Sequence, residues 1–315
     1  MQTEPPKVDP PKRKRRWFQF SLRSLLIFTL IVAIPCAWLG RKIEQKRRDR
    51  ETIESIVMAG GAVRYDFQFD SSHRFIEDAR SPGPEWLRRL CGENFFGEVC
   101  EVEVKGGDRE LEGISGWTQL QSLELDGNTV TAMGLDGLDS LPRLRWLSLS
   151  GITDATLAGL RKAKNLESLD LDQTKVSDAG LRHIRGLTNL QELRLANCNV
   201  TNEGMESIRP LVKLRQLWLQ GTRVGDRGTV IVGRLPQLDT LSLAETAITD
   251  QALENIKALT HLEYLDIDNT QVTDAGLATL KDVATLRSLF LRHTKVTEAG
   301  VKMLETALPH LVVCR

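Results

Sequence analysis

The chain has 315 residues, of which 41% are hydrophobic and 5% aromatic, so it can bury a substantial core but offers few rings on which single-stranded nucleic acid could stack. Its formal net charge of zero is unevenly divided, because residues 1–50 hold 13 Lys/Arg against 4 Asp/Glu and the remainder holds 29 against 38. A basic head of +9 and an acidic body of −9 indicate two environments, such as an anionic membrane surface and solvent, and no nucleic-acid partner is expected.

The first predicted element is a transmembrane helix at residues 17–40, preceded by a basic, disordered N-terminus at residues 1–16. The 17 residues from Ser24 to Gly40 are uncharged, which is the short end of the roughly 17 to 25 residues that cross a bilayer. The side chain of Arg23 can extend toward lipid headgroups, so the apolar residues before it lengthen the span. The sequence therefore predicts a single-pass membrane anchor.

Two other interpretations of this segment have less support. A cleaved signal peptide would need an A-x-A site after the apolar run, and none follows it. The run KRKRR at residues 12–16 could bind nucleic acid, but it directly precedes an apolar span and is typical of a membrane flank. We expect an uncleaved signal-anchor in the cell membrane, with a cytoplasmic N-terminus and an extracytoplasmic body, because the denser basic cluster precedes the span.

Residues 41–98 are predicted to form a juxtamembrane helix and a cap that precedes the repeats described next. This segment contains Cys91, and the chain has five cysteines without a C-x-x-C pair or a Cys/His cluster of zinc-binding spacing. Cys91 and Cys100 could form a disulfide if the body faces an oxidising compartment, since disulfides persist only there. No metal site is expected.

The remaining residues, 99–315, repeat one pattern. The motif L-x-x-L-x-L recurs with spacings of 21, 24 and 22 residues and then of 24 residues five times. Self-similarity at a fixed period is the signature of a repeat architecture. The copies start at Val99, Leu120, Leu144, Leu166, Leu190, Leu214, Leu238, Leu262 and Leu286.

Each repeat predicts a strand followed by a helix. The opening alternation, as in LESLDL, has the two-residue period of a strand whose fourth and sixth positions face inward. Later apolar residues such as Leu181, Ile184 and Leu187 recur every three residues, as one face of a helix does. The final stretch HLVVCR predicts one more strand after the ninth repeat.

Three further positions of the repeat are predicted to be structural. A Thr or Ser before an acidic residue, as in Ser177-Asp178, suits a helix N-cap followed by a carboxylate that faces the helix dipole. A glycine just inside the helix, such as Gly180, permits close approach of neighbouring repeats. The ninth position, Thr174 in one copy and Cys198 in the next, can satisfy loop backbone groups that would otherwise be buried unpaired. The recurring TDAG is thus not a catalytic signature.

These residues resemble the leucine-rich repeat family, in its cysteine-containing subtype with TDxGL helix starts. The resemblance implies an α/β fold, a right-handed solenoid with a parallel concave sheet and convex helices, used mainly to bind proteins or peptides. FQFSLRSLL (18–26) and GGAVRYDF (60–67) also resemble bacterial membrane-anchored repeat proteins. That likeness implies a small α/β cap with a helix through Met58, a strand near 62–68 and a short helix from Pro84, and a cap is physically expected at the end of a repeat array.

Catalytic chemistry has little support in the sequence. The five histidines are scattered over the cap, a helix and several loops, and no Ser/His/Asp or Cys/His arrangement follows from the repeat geometry. No G-x-G-x-x-G or other phosphate-binding glycine loop occurs. We therefore expect a protein that is not an enzyme and that needs no cofactor.

The variable positions three, five and seven of each strand are predicted to lie on the concave face and to contact a partner. Large aromatic and Arg side chains are frequent interface anchors, and acidic pairs favour a partly basic partner. The pairs Asp170/Asp172 and Asp266/Asp268 lie four strands apart, about 19 Å, so one calcium ion cannot join them. The predicted partner-binding residues are Trp146, Asp170, Asp172, Arg194, Trp218, Tyr264, Asp266, Asp268, Phe290 and Arg292.

The sequence thus predicts a membrane-anchored solenoid that binds a protein or peptide on its concave face, and the acidic pairs favour a partly basic partner. A structural or envelope scaffold that acts through lateral or convex contacts is the alternative.

Overall fold

In the computed structural model, the described residues are 22–70, 74–77, 79–92, 94–126 and 129–315. The chain divides into two compact units, with the boundary between Arg47 and Arg48. Helix α1 (Leu22–Met58) is 37 residues long and contains this boundary. Of the predicted anchor at 17–40, residues 17–21 lie outside the described residues.

In the first unit, α1 carries exposed apolar side chains. Ile31 and Ile34 are 63% and 65% exposed, and Lys42 places its Nζ 5.6 Å from the centroid of the Trp38 ring. Among the described residues, no helix combines the length and the hydropathy that a bilayer crossing requires.

In the second unit, the residues before the first repeat cover the end of its core. Strand β1 (Ala62–Tyr65) pairs antiparallel with β2 (Val99–Val104). The C-terminal turns of α1 bury Ile56 completely, and the Nε1 of Trp117 donates a 2.9 Å hydrogen bond to Asp49. A terminal repeat needs such cover, because its core edge would otherwise face water.

The cap strand is shorter than the predicted strand at 62–68. It ends at Tyr65, and a 3-10 turn occupies Asp66–Gln68 because the side chain of Gln68 accepts the backbone N–H of Tyr65 at 2.9 Å. Helix α2 (Glu85–Cys91) follows Pro84, whose fixed φ suits a helix start.

The cap strand β1, the nine repeats and the final strand form one 11-stranded sheet in which every neighbour follows in sequence order and all pairs after β1·β2 are parallel. Parallel neighbours need a crossover between them, which a short helix supplies in each repeat. The remaining strands are β3 (Ser122–Asp126), β4 (Trp146–Ser150), β5 (Ser168–Asp170), β6 (Glu192–Arg194), β7 (Gln216–Trp218), β8 (Thr240–Ser242), β9 (Tyr264–Asp266), β10 (Ser288–Phe290) and β11 (Val312–Cys314). The helices are α3 (Asp108–Ile114), α4 (Ala132–Asp136), α5 (Asp154–Leu157), α6 (Asp178–Ile184), α7 (Met205–Ile208), α8 (Asp226–Val232), α9 (Asp250–Ile256), α10 (Asp274–Leu277) and α11 (Glu298–Ala307).

The core lies between the sheet and the helices. Positions one, four and six of each repeat are buried, as Leu166, Leu169 and Leu171 are at 1%, 0% and 0% exposure. The predicted inward positions of the strand are therefore confirmed. Truncating one such leucine to alanine typically costs about 2–5 kcal/mol, because a cavity remains in the stacked core.

The helices of the repeats are shorter than their apolar pattern suggests. Helix α6 ends at Ile184, so Leu187 packs from the following loop. Elsewhere the chain turns into a 3-10 helix, as at Ala278–Asp282 after α10. The three-residue apolar period fits the three residues per turn of that geometry.

A ladder of aspartates joins successive repeats, which the sequence pattern did not predict. Each first-turn carboxylate accepts hydrogen bonds from the backbone N–H and hydroxyl of the cap residue 23 positions later. We call this set the Asp ladder, and it consists of Asp108, Asp154, Asp178, Asp226, Asp250 and Asp274. Asn202 takes one place with bonds to the N–H groups of Gly225 and Gly228, and Ala132 stands where another carboxylate would be. The aspartates thus do more than face a helix dipole.

A glycine near the start of several helices makes room for the ladder, whereas α9 has Ala252 at this position beside an intact rung from Asp226. A Cβ on Gly180 would lie 2.3 Å from Oδ1 of Asp154, and one on Gly204 would lie 2.3 Å from Oδ1 of Asp178. Such contacts are too short for carbon and oxygen. The predicted close approach at this glycine is confirmed, and its partner is the carboxylate of the preceding repeat.

The eighth position of seven repeats adopts the left-handed conformation, with φ between 54° and 68°. Asn197 and Gly221 accept it at low cost, but Glu245 adopts it at φ 54° without such a preference. The turn lets the chain leave the strand, and the ninth-position hydroxyl then closes it, as when Thr246 donates to the carbonyl of Leu243.

Candidate partner-binding site on the open sheet face

The sheet has one face covered by the helices and one open face that carries positions three, five and seven. Parallel pairing aligns the fifth positions side by side from strand to strand. These residues are Asp170, Arg194, Trp218, Ser242, Asp266, Phe290 and Cys314, from β5 to β11. Seven side chains, from six repeats and the final strand, thus lie in one line.

Three aromatic side chains form the centre of this face, and we call Trp218, Tyr264 and Phe290 the aromatic row. The ring centroids of Trp218 and Tyr264 are 5.9 Å apart, and those of Tyr264 and Phe290 are 5.1 Å apart. Such tilted pairs contribute about 0.5–1.5 kcal/mol each beyond their buried area. The rings are half-buried rather than isolated on the surface, because each covers part of its neighbour.

Arg194 adjoins the aromatic row. Its guanidinium carbon lies 5.5 Å from the centroid of the Trp218 ring, within the range of a cation–π contact. Its Nε is 3.1 Å from Asp172 and 3.5 Å from Asp170, and its Nη1 is 3.9 Å from Glu192. One guanidinium therefore joins the carboxylates of β5 and β6 to the ring of β7.

The aspartates of the site also support the scaffold, in addition to their predicted role in contacting a partner. Asp172 accepts the N–H of Ala196 in the next repeat at 2.6 Å, and Asp268 accepts the N–H of Arg292 at 2.6 Å. Asp170 accepts the N–H of Asp172 at 2.9 Å. Replacing these residues would thus disturb the strand ends as well as the surface charge.

Burial changes the protonation behaviour of the face. It raises the pKa of Asp170 and of Asp266 above the usual range for an aspartate. It also raises the pKa of the Tyr264 hydroxyl, with a smaller contribution from Asp266. The hydroxyl of Ser242 donates to Asp266 at 3.1 Å, which partly offsets the cost of keeping that carboxylate charged.

An acidic area in the first repeats was missed by the predicted site. Burial raises the pKa of Glu124, and the nearby charges of Glu103 and Glu101 raise it further. Glu103 and Glu124 are paired fifth-position residues of β2 and β3. The same odd-position rule that selected the aspartates could have found these three glutamates.

Two polar atoms beside the aromatic row lack hydrogen-bond partners. The Nε1 of Trp218 and the Oε1 of Gln220 are both buried without a partner within the part of the chain that the structure describes. They are the fifth and seventh positions of one repeat, so a donor and an acceptor lie two residues apart on the same face. An unpaired buried polar atom costs about 1–3 kcal/mol.

Two predicted site residues lie apart from the row. Trp146 is in β4 and pairs with Ser122 and Ser168, three strands or about 14 Å from Trp218. Arg292 follows β10 at the seventh position and is exposed. The remaining predicted residues lie between β5 and β10 and are brought together.

Neither a metal-binding group nor an activated thiol occurs among the residues that the structure describes. Over residues 22–70, 74–77, 79–92, 94–126 and 129–315, no group of three or more His, Cys, Asp or Glu side chains could hold a metal ion. Cys100 is a free thiol, and burial followed by the charges of Asp66 and Glu101 raises its pKa to about 11. The buried thiol of Cys198 donates to the carbonyl of Leu171 at 3.1 Å, as its predicted structural role requires.

A family model described as a leucine-rich repeat region matches residues 112–315. The chain is a leucine-rich repeat protein. Among solved structures, this repeat protein is similar to an internalin (inlF) from Listeria monocytogenes, at 16% identity and a TM-score of 0.47 over 64% of this chain and 68% of that one.

Two other solved structures give comparable figures. Internalin C2 from Listeria monocytogenes matches at 26% identity and a TM-score of 0.45 over 57% of this chain and 72% of that one. The plant peptide hormone receptor RGFR1 in complex with RGF2 matches at 18% identity and a TM-score of 0.44, over 70% of this chain and 39% of that one. A comparison with curated protein sequences finds no significant match.

Proposed function

We propose that this leucine-rich repeat protein is a membrane-anchored, non-enzymatic module that binds a protein or peptide on the open, concave face of its sheet. The aromatic row is the observation that carries the proposal. Three rings from β7, β9 and β10 are aligned over about 14 Å on a face that no helix of the repeats covers. Aromatic side chains at the centre of a surface are the usual hot spots of protein interfaces.

The energetics of the free face favour a partner. The rings remain half-buried, so covering them removes more apolar area from water at about 25 cal/mol per Å². The unpaired Nε1 of Trp218 and Oε1 of Gln220 would gain hydrogen bonds from a group that both accepts and donates, as a peptide amide does. The first gain follows from covering the rings, and the second requires rotation of the Trp218 and Gln220 side chains, because both atoms are buried.

The charge of the face supports a partly basic partner. Between β5 and β10, the strand positions three, five and seven carry five carboxylates against two guanidinium groups. The carboxylates are those of Asp170, Asp172, Glu192, Asp266 and Asp268. Complementary charge chiefly accelerates association and excludes wrong partners, so we expect it to set selectivity while the rings supply most of the affinity.

Membrane attachment through residues 17–40 is part of the proposal. Its support is the uncharged run from Ser24 to Gly40, with basic residues on both sides. We propose a cytoplasmic N-terminus and an extracytoplasmic solenoid. Protease added to intact cells would then digest the solenoid and leave the N-terminus protected, and the reverse pattern would invert the topology.

The binding proposal is tested by crosslinking and affinity capture from native membranes, followed by affinity measurement with the captured partner. The double variant Trp218→Ala/Tyr264→Ala should weaken binding at least about 30-fold, because a hot-spot ring is worth about 2 kcal/mol or more. Trp146→Ala is the matched control, since Trp146 lies on the same face outside the aromatic row. Unchanged binding by a folded double variant would reject the row as the site.

The alternative is a structural or envelope scaffold that acts through lateral or convex contacts. It predicts self-association of the full chain that survives Trp218→Ala/Tyr264→Ala. Sedimentation of wild type and variant distinguishes the two functions without knowledge of the partner.

A further inference from the structure

Six exposed basic side chains lie at the ends of the helices of the middle repeats and in the loops that follow these helices. We call them the basic rim. Within the part of the chain that the structure describes, none of them has a carboxylate oxygen within 4.0 Å. They are Arg143, Arg161, Lys164, Arg182, Arg185 and Lys213.

The repeat itself brings these charges together. Arg161 and Arg185 occupy the same position of adjacent repeats, 24 residues apart. Arg182 lies three residues before Arg185, so both project from the same side of α6 and its C-cap. Like charges at such spacing repel one another, so the stability of the repeat does not account for them.

A histidine takes the place of a carboxylate beside Arg161. The guanidinium of Arg161 lies 2.8 Å from Nδ1 of His183. Burial, followed by the charge of Arg161, lowers the pKa of His183, so the ring is neutral near pH 7 and accepts a hydrogen bond without compensating charge. The positive charge of Arg161 therefore remains available to solvent.

The helix dipole favours cations at these helix ends but does not explain why the rim residues lack carboxylate partners. Cations near helix C-termini are favourable in general, but other cations on this side have carboxylate partners. Lys162 is 2.9 Å from Asp136, Arg209 is 3.9 Å from Glu206, and Lys257 is 2.6 Å from Glu254.

The local charge opposes that of the body. The rim with Lys162 and Arg209 counts eight cations against Asp136, Asp139, Asp154, Asp178 and Glu206, a local charge of +3 within a body of −9. A molecule with such separated charges would turn its positive side toward a negatively charged surface.

We propose that the basic rim binds the headgroups of an anionic lipid bilayer. This inference goes beyond the proposed binding of a partner and rests on that proposal only for the membrane location. The occupant follows from charge complementarity, because long, exposed and separately placed cations suit a diffuse anionic surface rather than one fixed anion. Contact through the helix side leaves the open sheet face directed away from the bilayer.

The test uses residues 48–315, a compact unit that contains every residue of the hydrophobic core. It is sedimented with vesicles of equal parts phosphatidylglycerol and phosphatidylcholine, and with vesicles of phosphatidylcholine alone. Each cation near an anionic surface strengthens binding about fivefold, the equivalent of about 1 kcal/mol. Arg182→Gln/Arg185→Gln should therefore weaken binding to the mixed vesicles by about 25-fold, and added salt should weaken it further.

Matched variants separate the rim from general charge. Lys281→Gln/Lys302→Gln removes the same charge from exposed positions in later repeats and should change binding less than about threefold. Arg182→Lys/Arg185→Lys keeps the charge and should retain binding, which also controls for folding. Trp218→Ala/Tyr264→Ala should bind vesicles normally, so a failure of the concave-face proposal would leave this result intact.

Three outcomes would overturn the proposal. One is absence of binding to the mixed vesicles. Another is that the Arg182/Arg185 and Lys281/Lys302 variants lose vesicle binding to the same extent. The third is rim-dependent binding of soluble poly-glutamate without binding to vesicles, which would assign the rim to an acidic protein.

Discussion

Replacing Gly180 by alanine should destabilise the protein when Asp154 is present and should not do so when Asp154 is absent. In the wild type, a Cβ on Gly180 would lie 2.3 Å from Oδ1 of Asp154, so the carboxylate must move. That carboxylate accepts the N–H of Ser177 at 2.7 Å and its hydroxyl at 2.5 Å. Hydrogen bonds to a charged group contribute about 1.5–3 kcal/mol when well shielded. Because Asp154 is only half-buried, and the equivalent Asp226 keeps both bonds beside Ala252, weakening the two bonds should cost about 1–2 kcal/mol.

Without the carboxylate the obstruction disappears. In an Asp154→Ala background, the next nearest atom to the new methyl group is Cγ1 of Val176 at 3.1 Å, which can shift slightly. Alanine is favoured over glycine inside a helix by about 0.5–1 kcal/mol. Gly180→Ala should therefore destabilise the wild type and leave the Asp154→Ala protein unchanged or slightly more stable.

The assay is denaturant unfolding of residues 48–315, followed by circular dichroism and tryptophan fluorescence, for the four proteins of the double-mutant cycle. Gly186→Ala is the control, because nothing lies within 4 Å of a Cβ there, and it should shift the free energy of unfolding by less than about 0.5 kcal/mol. Additive effects of Gly180→Ala and Asp154→Ala would refute the close contact as the reason for the glycine.

Further predictions concern the turns, the acidic groups and the thiols. Glu245→Asn should raise the free energy of unfolding by about 1 kcal/mol, because Asn tolerates the left-handed φ better than Glu, and an unchanged denaturation midpoint would contradict this. Asp266→Asn should stabilise the protein near pH 7. Burial raises the folded-state pKa of Asp266, so the charged carboxylate is unfavourable above that pKa and costs nothing below the ordinary value of about 3.9. The stability advantage of Asp266→Asn should thus shrink as the pH falls toward 4. An advantage that grows in acid would contradict a raised folded-state pKa for Asp266. At pH 8 iodoacetamide should label Cys100 and Cys198 only after denaturation, as mass spectrometry of the peptides would record.

The repeat determines how much of the fold is predictable from sequence. Strand starts and buried positions such as Leu169 follow from period and hydrophobicity alone, because every copy buries the same stripe. The ninth-position hydroxyl bonds, as from Thr246, follow from the need to satisfy a tight turn. Local periodicity thus predicts what occurs within one repeat.

Contacts between repeats were harder to predict. The Asp ladder needs the three-dimensional stacking of a carboxylate on a cap residue 23 positions away, which no local pattern specifies. The role of Arg194 also depends on side-chain conformation, since its neighbours on β5 and β7 belong to other repeats. Sequence alternation placed Arg194 on the right face but could not show that it links Asp172 to Trp218.

The position of Trp146 shows the limit of residue type as a guide. Trp146 and Trp218 both occupy odd strand positions, so residue type and position do not distinguish them. They differ in whether another aromatic side chain lies on a nearby strand. Trp218 meets Tyr264 because an intervening strand carries the small Ser242, which leaves space for the larger rings to meet across β8. The neighbours of Trp146 in β3 and β5 are serines.

The gap in the Asp ladder at Ala132 has a consequence for the mechanical behaviour of the chain. Each rung fastens a repeat to its successor, so the array resists extension as a series of links of comparable strength. At residue 132 there is no carboxylate, and the junction between α4 and the next repeat is held instead by the pairing of β3 with β4 and by the 2.9 Å ion pair between Lys162 and Asp136. Under a pulling force applied between the two ends of the solenoid, this junction would therefore resist through strand pairing and one exposed ion pair rather than through a carboxylate rung.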